Sequence, residues 1–463
     1  MTGSDGSDPR AAPDPEVKAL RERLQSSSDG SERLGLGLEL GRRLAGHGAY
    51  DQAIEVIEPL LPLAASEEDR VQVLQQLGQA HLRLSQYQKA YLYLGEALAL
   101  LSSGPGSVDL FQVYYDLAWM FYRQGYLDNA RSYLEGARMA LEGLAGLDLS
   151  RQRAELLHIT ALIEASDGNH DQAAAHLREE ASFHEKTGDE HRLAAVYNKL
   201  SSVTYTRGDI AGALEYQALT HSLSEKTGDS FRLALSHKNF GDIHFIMWDL
   251  AGALEHFRRS DELCRSIGNG LGQIFAQAAI GRILAAGRQH SQAKSHFDRA
   301  LEMARRLENR DREAGVLVDL AEWHCLQSRP EAALDSLKLA EKIEMMRGRT
   351  PSPRHQAVLA RTLLISEGIH GAVEAQRLLE NLLSRPLKLD DEEMMAVPEL
   401  EAEARFLLAR SLLGQGLRDQ ADAETARAAD LVTAMSQKVP DEHRRTFLSK
   451  PTSAEILGGK SGQ

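Results

Sequence analysis

The feature that most constrains this chain of 463 residues is an internal repeat of constant period. The phrase EKTGD begins at residue 185 and again at residue 225, and the related phrases RSIGN and RRLEN begin at residues 265 and 305. A second phrase, which reads GDIAGALEY from residue 208 and WDLAGALEH from residue 248, keeps the same spacing. Two phrases locked to one period indicate an array of repeated units, in which each unit packs mainly on its neighbours.

Each unit has the pattern of two helices joined by a short break. Apolar residues recur at i, i+3, i+4 and i+7, which is the spacing of one helix face. Gly188, Gly228 and Gly268 stand where the end of a helix favours a left-handed backbone, and Asp189 and Asp229 follow as N-caps of the next helix. Each unit is therefore predicted to be a helical hairpin closed by a capped turn.

Small residues recur at two fixed places in these hairpins. A Gly, Ala or Ser in the middle of the first helix is followed twelve residues later by an Ala. A side chain larger than methyl at such a crossing would push the two helices apart. The pairs are Gly41/Ala53, Gly78/Ala90, Ala118/Ala130, Ala161/Ala173, Ser201/Ala213, Gly241/Ala253, Gly281/Ala293, Ala321/Ala333 and Ala409/Ala421.

This pattern resembles the tetratricopeptide repeat. The resemblance implies an all-α fold, a right-handed superhelical solenoid of about ten helical hairpins. The 40-residue period is longer than the usual 34 residues of that repeat, and the six extra residues lengthen the helices by about 9 Å per unit. The longer unit is similar to those of the Pins/LGN polarity adaptors and of the repeat segments attached to bacterial signalling kinases and regulators.

The repeat pattern also predicts how the chain is divided. We expect a disordered N-terminal segment, with a short helix at 17–24, and then an array of about eight units. A loop, two irregular units with an acidic insertion, and a single capping helix followed by a disordered tail are expected after it. These segments are residues 1–30, 31–343, 344–354, 355–435 with the insertion at 385–399, and 436–463.

Composition narrows the class of partner. The net charge of −14 disfavours binding to nucleic acid or to an anionic membrane, because both need a basic face. The N-terminus has no apolar signal segment, and no apolar run approaches the roughly 18 residues of a membrane span. The two cysteines, Cys264 and Cys325, are predicted to be buried thiols. We therefore expect a cytoplasmic protein without integral membrane contact.

Catalytic and metal-binding motifs are weak in this sequence. Gly459, Lys460 and Ser461 lack the upstream Gly of a phosphate-binding loop, since that position is Ala454. His237 and His244 lie seven residues apart and share a helix face, yet they are too far apart to hold one metal ion. We expect no enzyme activity, no cofactor and no metal, although a catalytic group assembled across the superhelix stays open.

The resemblance implies that the first helix of each hairpin lines a concave groove. Carried over position by position, it nominates partner-binding residues in five units. These are Gln75 and Gln79; Tyr115, Trp119, Tyr122 and Arg123; Asn198, Lys199 and Tyr205; Lys238, Asn239 and Asp242; and Phe275 and Arg282.

Two clusters in this set have alternative interpretations. Tyr115, Trp119 and Tyr122 form one helical stripe, which is either an aromatic wall for a ligand or packing between repeats. The strip of Asn and Lys residues at 198–199 and 238–239 either grips a peptide backbone and carboxylates or is a solvated face. Acidic residues such as Asp242 make the groove mixed in charge, which argues against a dedicated clamp for a C-terminal carboxylate.

These observations favour a non-enzymatic adaptor that binds a protein or peptide in its concave groove. The resemblance implies a role in bacterial signalling or in cell-polarity assembly, with a kinase or a small GTPase as partner. The alternative is a regulator, in which a bound peptide changes the pitch of the array and so switches an output partner. The oligomeric state is left open by the sequence.

Overall fold

The computed structural model describes residues 15–142, 144, 146–366, 368–385, 387 and 396–458. Every regular element in these ranges is a helix. The chain divides into two compact units, residues 1–163 (unit 1) and 164–463 (unit 2). The boundary falls inside helix α8 (Ser150–Asp167).

Unit 1 contains a short leading helix and three hairpins. Its helices pair in chain order as α2 with α3, α4 with α5 and α6 with α7. A 3₁₀ turn at Glu58–Leu63 extends the first hairpin. The helices are α1 (Pro15–Ser26), α2 (Gly30–Gly46), α3 (Tyr50–Ile57), α4 (Glu67–Arg83), α5 (Tyr87–Leu101), α6 (Val108–Arg123) and α7 (Leu127–Leu141).

Unit 2 begins with a single helix, α9 (His170–Thr187), and continues with hairpins. Four regular hairpins are followed by two irregular ones and by two short helices. The regular hairpins are α10 (Glu190–Thr206) with α11 (Ile210–Thr227), α12 (Ser230–Ile246) with α13 (Leu250–Ser266), α14 (Gly270–Ala286) with α15 (His290–Arg306), and α16 (Arg310–Leu326) with α17 (Pro330–Met346). The rest are α18 (Pro353–Ser366) with α19 (Gly368–Leu383), α20 (Val397–Gly414) with α21 (Arg418–Ser436), then α22 (Asp441–Leu448) and α23 (Pro451–Gly458).

A left-handed turn recurs at a constant spacing in unit 2, from Gly168 to Gly368. The predicted turns at Gly188, Gly228 and Gly268 are confirmed, with φ of 69°, 68° and 70°. The predicted N-caps Asp189 and Asp229 are also confirmed, since their side chains accept from backbone N–H groups of the next helix. Four of the left-handed turns have a residue other than glycine at this position. Each of these residues lowers the stability of its turn by about 1 kcal/mol relative to glycine. They are Trp248, Arg288, Glu308 and Ser328.

The helices of each hairpin cross at the predicted small residues. The crossing alanines Ala53, Ala90, Ala253 and Ala293 are fully buried. A Cβ atom added to Gly241 would lie 2.5 Å from Phe257 Cε2 on the partner helix. Real contacts of a Cβ atom are not that short, so this crossing accepts only glycine unless the ring moves.

The C-terminal segment differs from the predicted single capping helix. It forms two helices, α22 and α23, whose Phe447 and Ile456 enter a core shared with Ile210 and Ile243 of the first hairpins of unit 2. The carbonyl of Lys438 accepts a hydrogen bond of 3.0 Å from the backbone N–H of Ala211. The last helices therefore pack against the beginning of unit 2, a contact between distant parts of the chain that no repeat period reveals.

The other segment boundaries differ less. Residues 15–26 form α1, longer than the helix expected within a disordered segment, because Val17, Leu20 and Leu24 pack against the first core of unit 1. The predicted loop at 344–354 shortens to the residues between Met346 and Pro353. Much of the acidic insertion (386 and 388–395), the GKS sequence and residues 1–14 lie outside the described residues.

The apolar content of the helices bears on membrane contact. Within the ranges given above, none of them is both long enough and apolar enough to cross a bilayer.

We predict opposite effects for one substitution at two helical glycines of unit 2. Gly241→Ala forces a methyl group against the Phe257 ring and should lower the free energy of unfolding by about 1–3 kcal/mol. Gly315→Ala meets no atom within 4 Å and should raise it by about 0.5–1 kcal/mol, because alanine favours a helix. Chemical denaturation followed by circular dichroism measures both, and equal effects would contradict the close crossing.

Candidate functional site

In unit 1, amide side chains tie the first helices of neighbouring hairpins together. Gln79 Nε2 on α4 donates to Asp116 Oδ2 on α6 at 2.8 Å, and Gln112 Nε2 donates to Asp116 Oδ1 at 3.1 Å. Gln75 Nε2 donates to the Asp109 carbonyl at 3.0 Å. Burial raises the pKa of Asp116 to about 7, against the lowering effect of the two amide donors. The nominated Gln79 thus positions a buried acid, whereas the nominated Gln75 bonds to the backbone in the first turn of α6.

The predicted aromatic stripe lies beside this acid and is half-buried. Tyr115 stacks on Phe111, with ring centroids 5.8 Å apart. Trp119 lies 5.8 Å from Tyr122 and 5.9 Å from His158. Tyr115, Trp119 and Tyr122 also pack against the buried core of α6 to α8 within unit 1. The stripe therefore contributes to packing between repeats. Arg123, at the end of α6, is exposed.

In unit 2, the predicted amide strip also joins helices. Asn239 Nδ2 on α12 donates to Asn198 Oδ1 on α10 at 2.8 Å and to Gln217 Oε1 at 3.3 Å. Gln217 is fully buried and donates to Ser236 Oγ at 2.8 Å. These amides bond to one another across neighbouring repeats. Lys199 is half-buried on the same helix as Asn198.

Lys238 and Asp242 form an ion pair of 2.8 Å on one face of α12, and both side chains are largely buried. The second carboxylate oxygen, Asp242 Oδ1, is buried and has no hydrogen-bond partner in the described part of the chain. Burial raises the pKa of Asp242, against the lowering effect of Lys238. Tyr205 lies nearby: its hydroxyl is also buried and without a partner there, and its ring packs on the core shared with the C-terminal helices.

Buried charges continue along the inner helices α14, α16, α18 and α20. Arg354 bridges two carboxylates, with Nη1 2.6 Å from Asp319 Oδ1 and Nη2 2.5 Å from Glu322 Oε2. Arg361 pairs with Glu403 and lies 3.6 Å from Glu322. Burial raises the pKa of Glu322, but the positive charges of the arginines, above all Arg354, outweigh this effect and lower the pKa to about 2. Burial instead raises the pKa of Glu403, against the lowering effect of Arg361.

Two cavities open on this charged face, and Arg282 and Asp319 line both. The larger cavity, the groove cavity, has a volume of about 650 Å³ and is bordered by α12, α14, α16 and the loop before α18. The smaller, the inner cavity, has a volume of about 450 Å³ and is closed on one side by α21 and the C-terminal helices. The nominated Lys238, Asp242, Phe275 and Arg282 line the groove cavity.

Sequence reasoning missed several lining residues. Arg354, Arg361 and Glu403 belong to the irregular hairpins, where the 40-residue period does not give a register. Lys450 precedes α23, pairs with Glu399 and lies 5.6 Å from the Phe245 ring. Arg361 and Glu403 are charged residues at helix positions whose spacing predicts burial. That unusual placement is the sequence signal by which they could have been found.

A cluster of imidazole rings lies on α11 to α13. His237 Nδ1 is 3.0 Å from His256 Nδ1, and His221 and His244 contact these two rings. Burial, together with the neighbouring His221 and His256, lowers the pKa of His237 to about 4. Among the described residues, no group of three His, Cys, Asp or Glu side chains is arranged to hold a metal ion.

We predict a pH-dependent penalty from Asp116. Its folded pKa of about 7 exceeds the ordinary value of 3.8, so unfolding releases a proton between about pH 4 and 7. Stability therefore falls as the pH rises through this window and stays reduced above it. Asp116→Asn should remove the penalty. Its free energy of unfolding, relative to that of the unchanged protein, should therefore rise by about 2–4 kcal/mol from pH 5 to pH 8.

Thermal denaturation at the two pH values measures this difference. Asp109→Asn, at an exposed position in the first turn of the same helix, is the control and should show no such gain. An Asp116→Asn effect that is equal at both pH values would show that Asp116 is charged throughout.

Comparison with known proteins gives likeness of fold. No protein-family model matches the sequence, and no curated protein matches it. A crystal structure of a Rap protein complexed with competence and sporulation factor matches with a TM-score of 0.54 at 11% identity, over 88% of this chain and 100% of that chain. The apo form of RapI matches with a TM-score of 0.54 at 14% identity, over 79% and 98%.

Aspartyl phosphate phosphatase F from Bacillus subtilis matches with a TM-score of 0.51 at 13% identity, over 77% of this chain and 92% of that chain. Identities of this order show the fold alone. Together with the helical hairpins and their small-residue crossings, they identify the chain as a protein with the all-α, superhelical repeat fold of the tetratricopeptide type.

Proposed function

We propose that the groove cavity of unit 2 binds an extended segment of a partner protein, and that the chain acts as a non-enzymatic adaptor. The observation that carries this proposal is Asp242. Its Oδ1 atom is a buried acceptor without a donor in the described part of the chain, and the residue lines the cavity. A buried acceptor left unpaired costs about 1–3 kcal/mol, and a backbone N–H of a bound segment would satisfy it.

The opposite wall of the groove cavity offers a platform for a side chain. The Arg312 guanidinium lies over the Phe275 ring, 4.0 Å from its centroid. Such a stacked pair presents both a flat apolar surface and donors for a carboxylate. An extended segment with an apolar and an acidic residue on one side fits this wall. The charges of both signs along the cavity would set the register of the segment.

The likeness to solved structures is consistent with this role. A protein of the same fold has been crystallised in complex with competence and sporulation factor. For this chain we propose a cytoplasmic partner that acts in signalling.

The test of this proposal combines crosslinking with a charge reversal. A photoreactive benzoylphenylalanine at position 275 should crosslink a partner in cells. Arg312→Glu should reduce recovery of that same partner by about tenfold or more, which corresponds to about 1.4 kcal/mol. Arg306→Glu, at an exposed position on the second helix of the neighbouring hairpin, is the matched control and should leave recovery unchanged.

Equal recovery with both variants, with circular dichroism showing intact helices, would contradict binding at the groove cavity. A partner that crosslinks at position 275 and is lost with Arg312→Glu alone would support it.

A second candidate function is a ligand-responsive regulator. It is favoured by the packing of α22 and α23 on the core of α11 and α12. Because the two surfaces belong to distant parts of the chain, a ligand that bound better when they separate would shift the packing. The array would then change its pitch and its output.

Small-angle scattering with the captured partner segment distinguishes the two functions. A regulator should change its radius of gyration by more than the mass of the segment explains, together with faster hydrogen exchange in α22 and α23. An adaptor should show neither change. The Arg312→Glu variant under the same conditions controls for binding elsewhere.

A further inference from the structure

We propose that the inner cavity of unit 2 is a binding site for a small monocarboxylic acid with an apolar body, and that the carboxylate pairs with Arg282. The inner cavity shares Arg282 and Asp319 with the groove cavity, but its proposed ligand is a small molecule and not the partner segment proposed above. The proposal rests on the walls of the cavity, on the pairing of its charges and on an unusual turn residue.

The walls of the inner cavity suit a compact apolar group. Its volume of about 450 Å³ lies within the range of small-molecule sites, about 300–1,000 Å³. Aromatic rings stand on the side of the repeat array, and aliphatic side chains stand on the side of α21 and α23. The apolar lining includes Phe245, Trp248, Trp323, Met435 and Ile456.

Among the charges that line the cavity, one buried cation has no hydrogen-bonded ion pair. Every carboxylate there has a short ion pair: Glu399 with Lys450, Glu403 with Arg361, and Asp319 and Glu322 both with Arg354. Because Arg354 pairs with both Asp319 and Glu322, Arg282 has only a longer ion pair, to Asp319.

Arg282 is buried in this position. Its side chain is 10% exposed, and its nearest carboxylate oxygen, on Asp319, is 3.6 Å away. No hydrogen bond from its guanidinium to a described residue is present. The guanidinium also lies 5.4 Å from the centroid of the Phe245 ring, and its charge lowers the pKa of Glu322. A buried guanidinium without hydrogen-bonded partners is costly, and its planar fork matches a carboxylate. One buried guanidinium that lacks a hydrogen-bonded partner offers a place for one carboxylate.

A second donor near the cavity is also unsatisfied. The indole Nε1–H of Trp323 is buried without an acceptor among the described residues, and the ring lines the cavity. Trp323 is 4% exposed, so bulk water does not replace the missing partner. An acceptor oxygen on a ligand would satisfy this group as well.

The turn between α12 and α13 places the ring of Trp248 in the wall of the inner cavity, although its left-handed backbone is one that large side chains disfavour. Trp248 has φ of 64°, whereas the equivalent residue one repeat earlier is Gly208. The next equivalent residue, Arg288, has φ of 60°, and both Trp248 and Arg288 line the cavity. Glycine suits such a turn best, and at these two positions the side chain that replaces it lines the cavity.

The tryptophans give a direct readout. The chain has three tryptophans, and Trp119→Phe leaves only Trp248 and Trp323, both in the cavity wall. In this background, 3-phenylpropionate should change the fluorescence in a saturable way. The neutral analogue 3-phenylpropanamide should bind about tenfold more weakly or worse, because it lacks the charge that pairs with Arg282.

Two variants test the assigned contacts. Arg282→Gln in the same background should weaken 3-phenylpropionate by about tenfold or more, whereas Arg306→Gln, an exposed arginine, should not. Ala286→Phe keeps every charge and fills part of the cavity, so it should abolish binding even if Arg282→Gln proves unstable. Circular dichroism confirms that each variant is folded.

The outcomes separate support from refutation. No saturable change, equal affinity for the amide, or unchanged affinity in both Arg282→Gln and Ala286→Phe would overturn the proposal. The peptide N-acetyl-Gly-Phe, with a free carboxylate, identifies the source of the ligand: tighter binding than 3-phenylpropionate points to a peptide C-terminus, and weaker binding to a free acid. None of these measurements uses the partner protein, so failure here is distinct from failure of the adaptor proposal.

Discussion

The close crossing of two helices in each hairpin is the constraint on which the rest of unit 2 depends. Glycine or alanine at the crossing lets the helix backbones approach, and the aromatic ring of Phe257 or Phe297 then fills the space opposite Gly241 or Gly281. Left-handed turns at a constant spacing keep each helix the same length. Residues one repeat apart therefore take equivalent places, and the inner faces of successive first helices form one continuous surface.

That surface is polar and largely buried, and its charges satisfy one another. Taking ions out of water is costly unless each is paired and hydrogen-bonded. The structure meets this cost with a short pair within α12 and with short pairs between α16, α18 and α20, where Arg354 alone joins two carboxylates of α16. The same pairing leaves Asp242 Oδ1 and the Arg282 guanidinium incompletely satisfied. These two groups mark where a ligand would gain most, since an incompletely paired buried group has the most to recover.

The C-terminal helices decide how much of the inner surface is open. Phe447 and Ile456 bury themselves against α11 and α12, and Lys450 pairs with Glu399 at the edge of the inner cavity. They divide the charged surface into an open groove cavity and a more enclosed inner cavity. The two proposals assign a chain segment to the groove cavity and a small molecule to the inner cavity.

The sequence by itself determined the hairpins, their period, the turns at Gly188 and Gly228 and the small crossing residues, because these depend on contacts within one repeat or between neighbours. It also placed Lys238, Asp242, Phe275 and Arg282 on one face. Only the tertiary structure decided which of these charges are paired. Arg354 and Arg361 come from irregular repeats, and α23 reaches the site from the far end of unit 2. Local periodicity carries no information about such distant contacts. It could not show that Asn239 donates to Asn198, nor that Arg282 has only a long ion pair to Asp319.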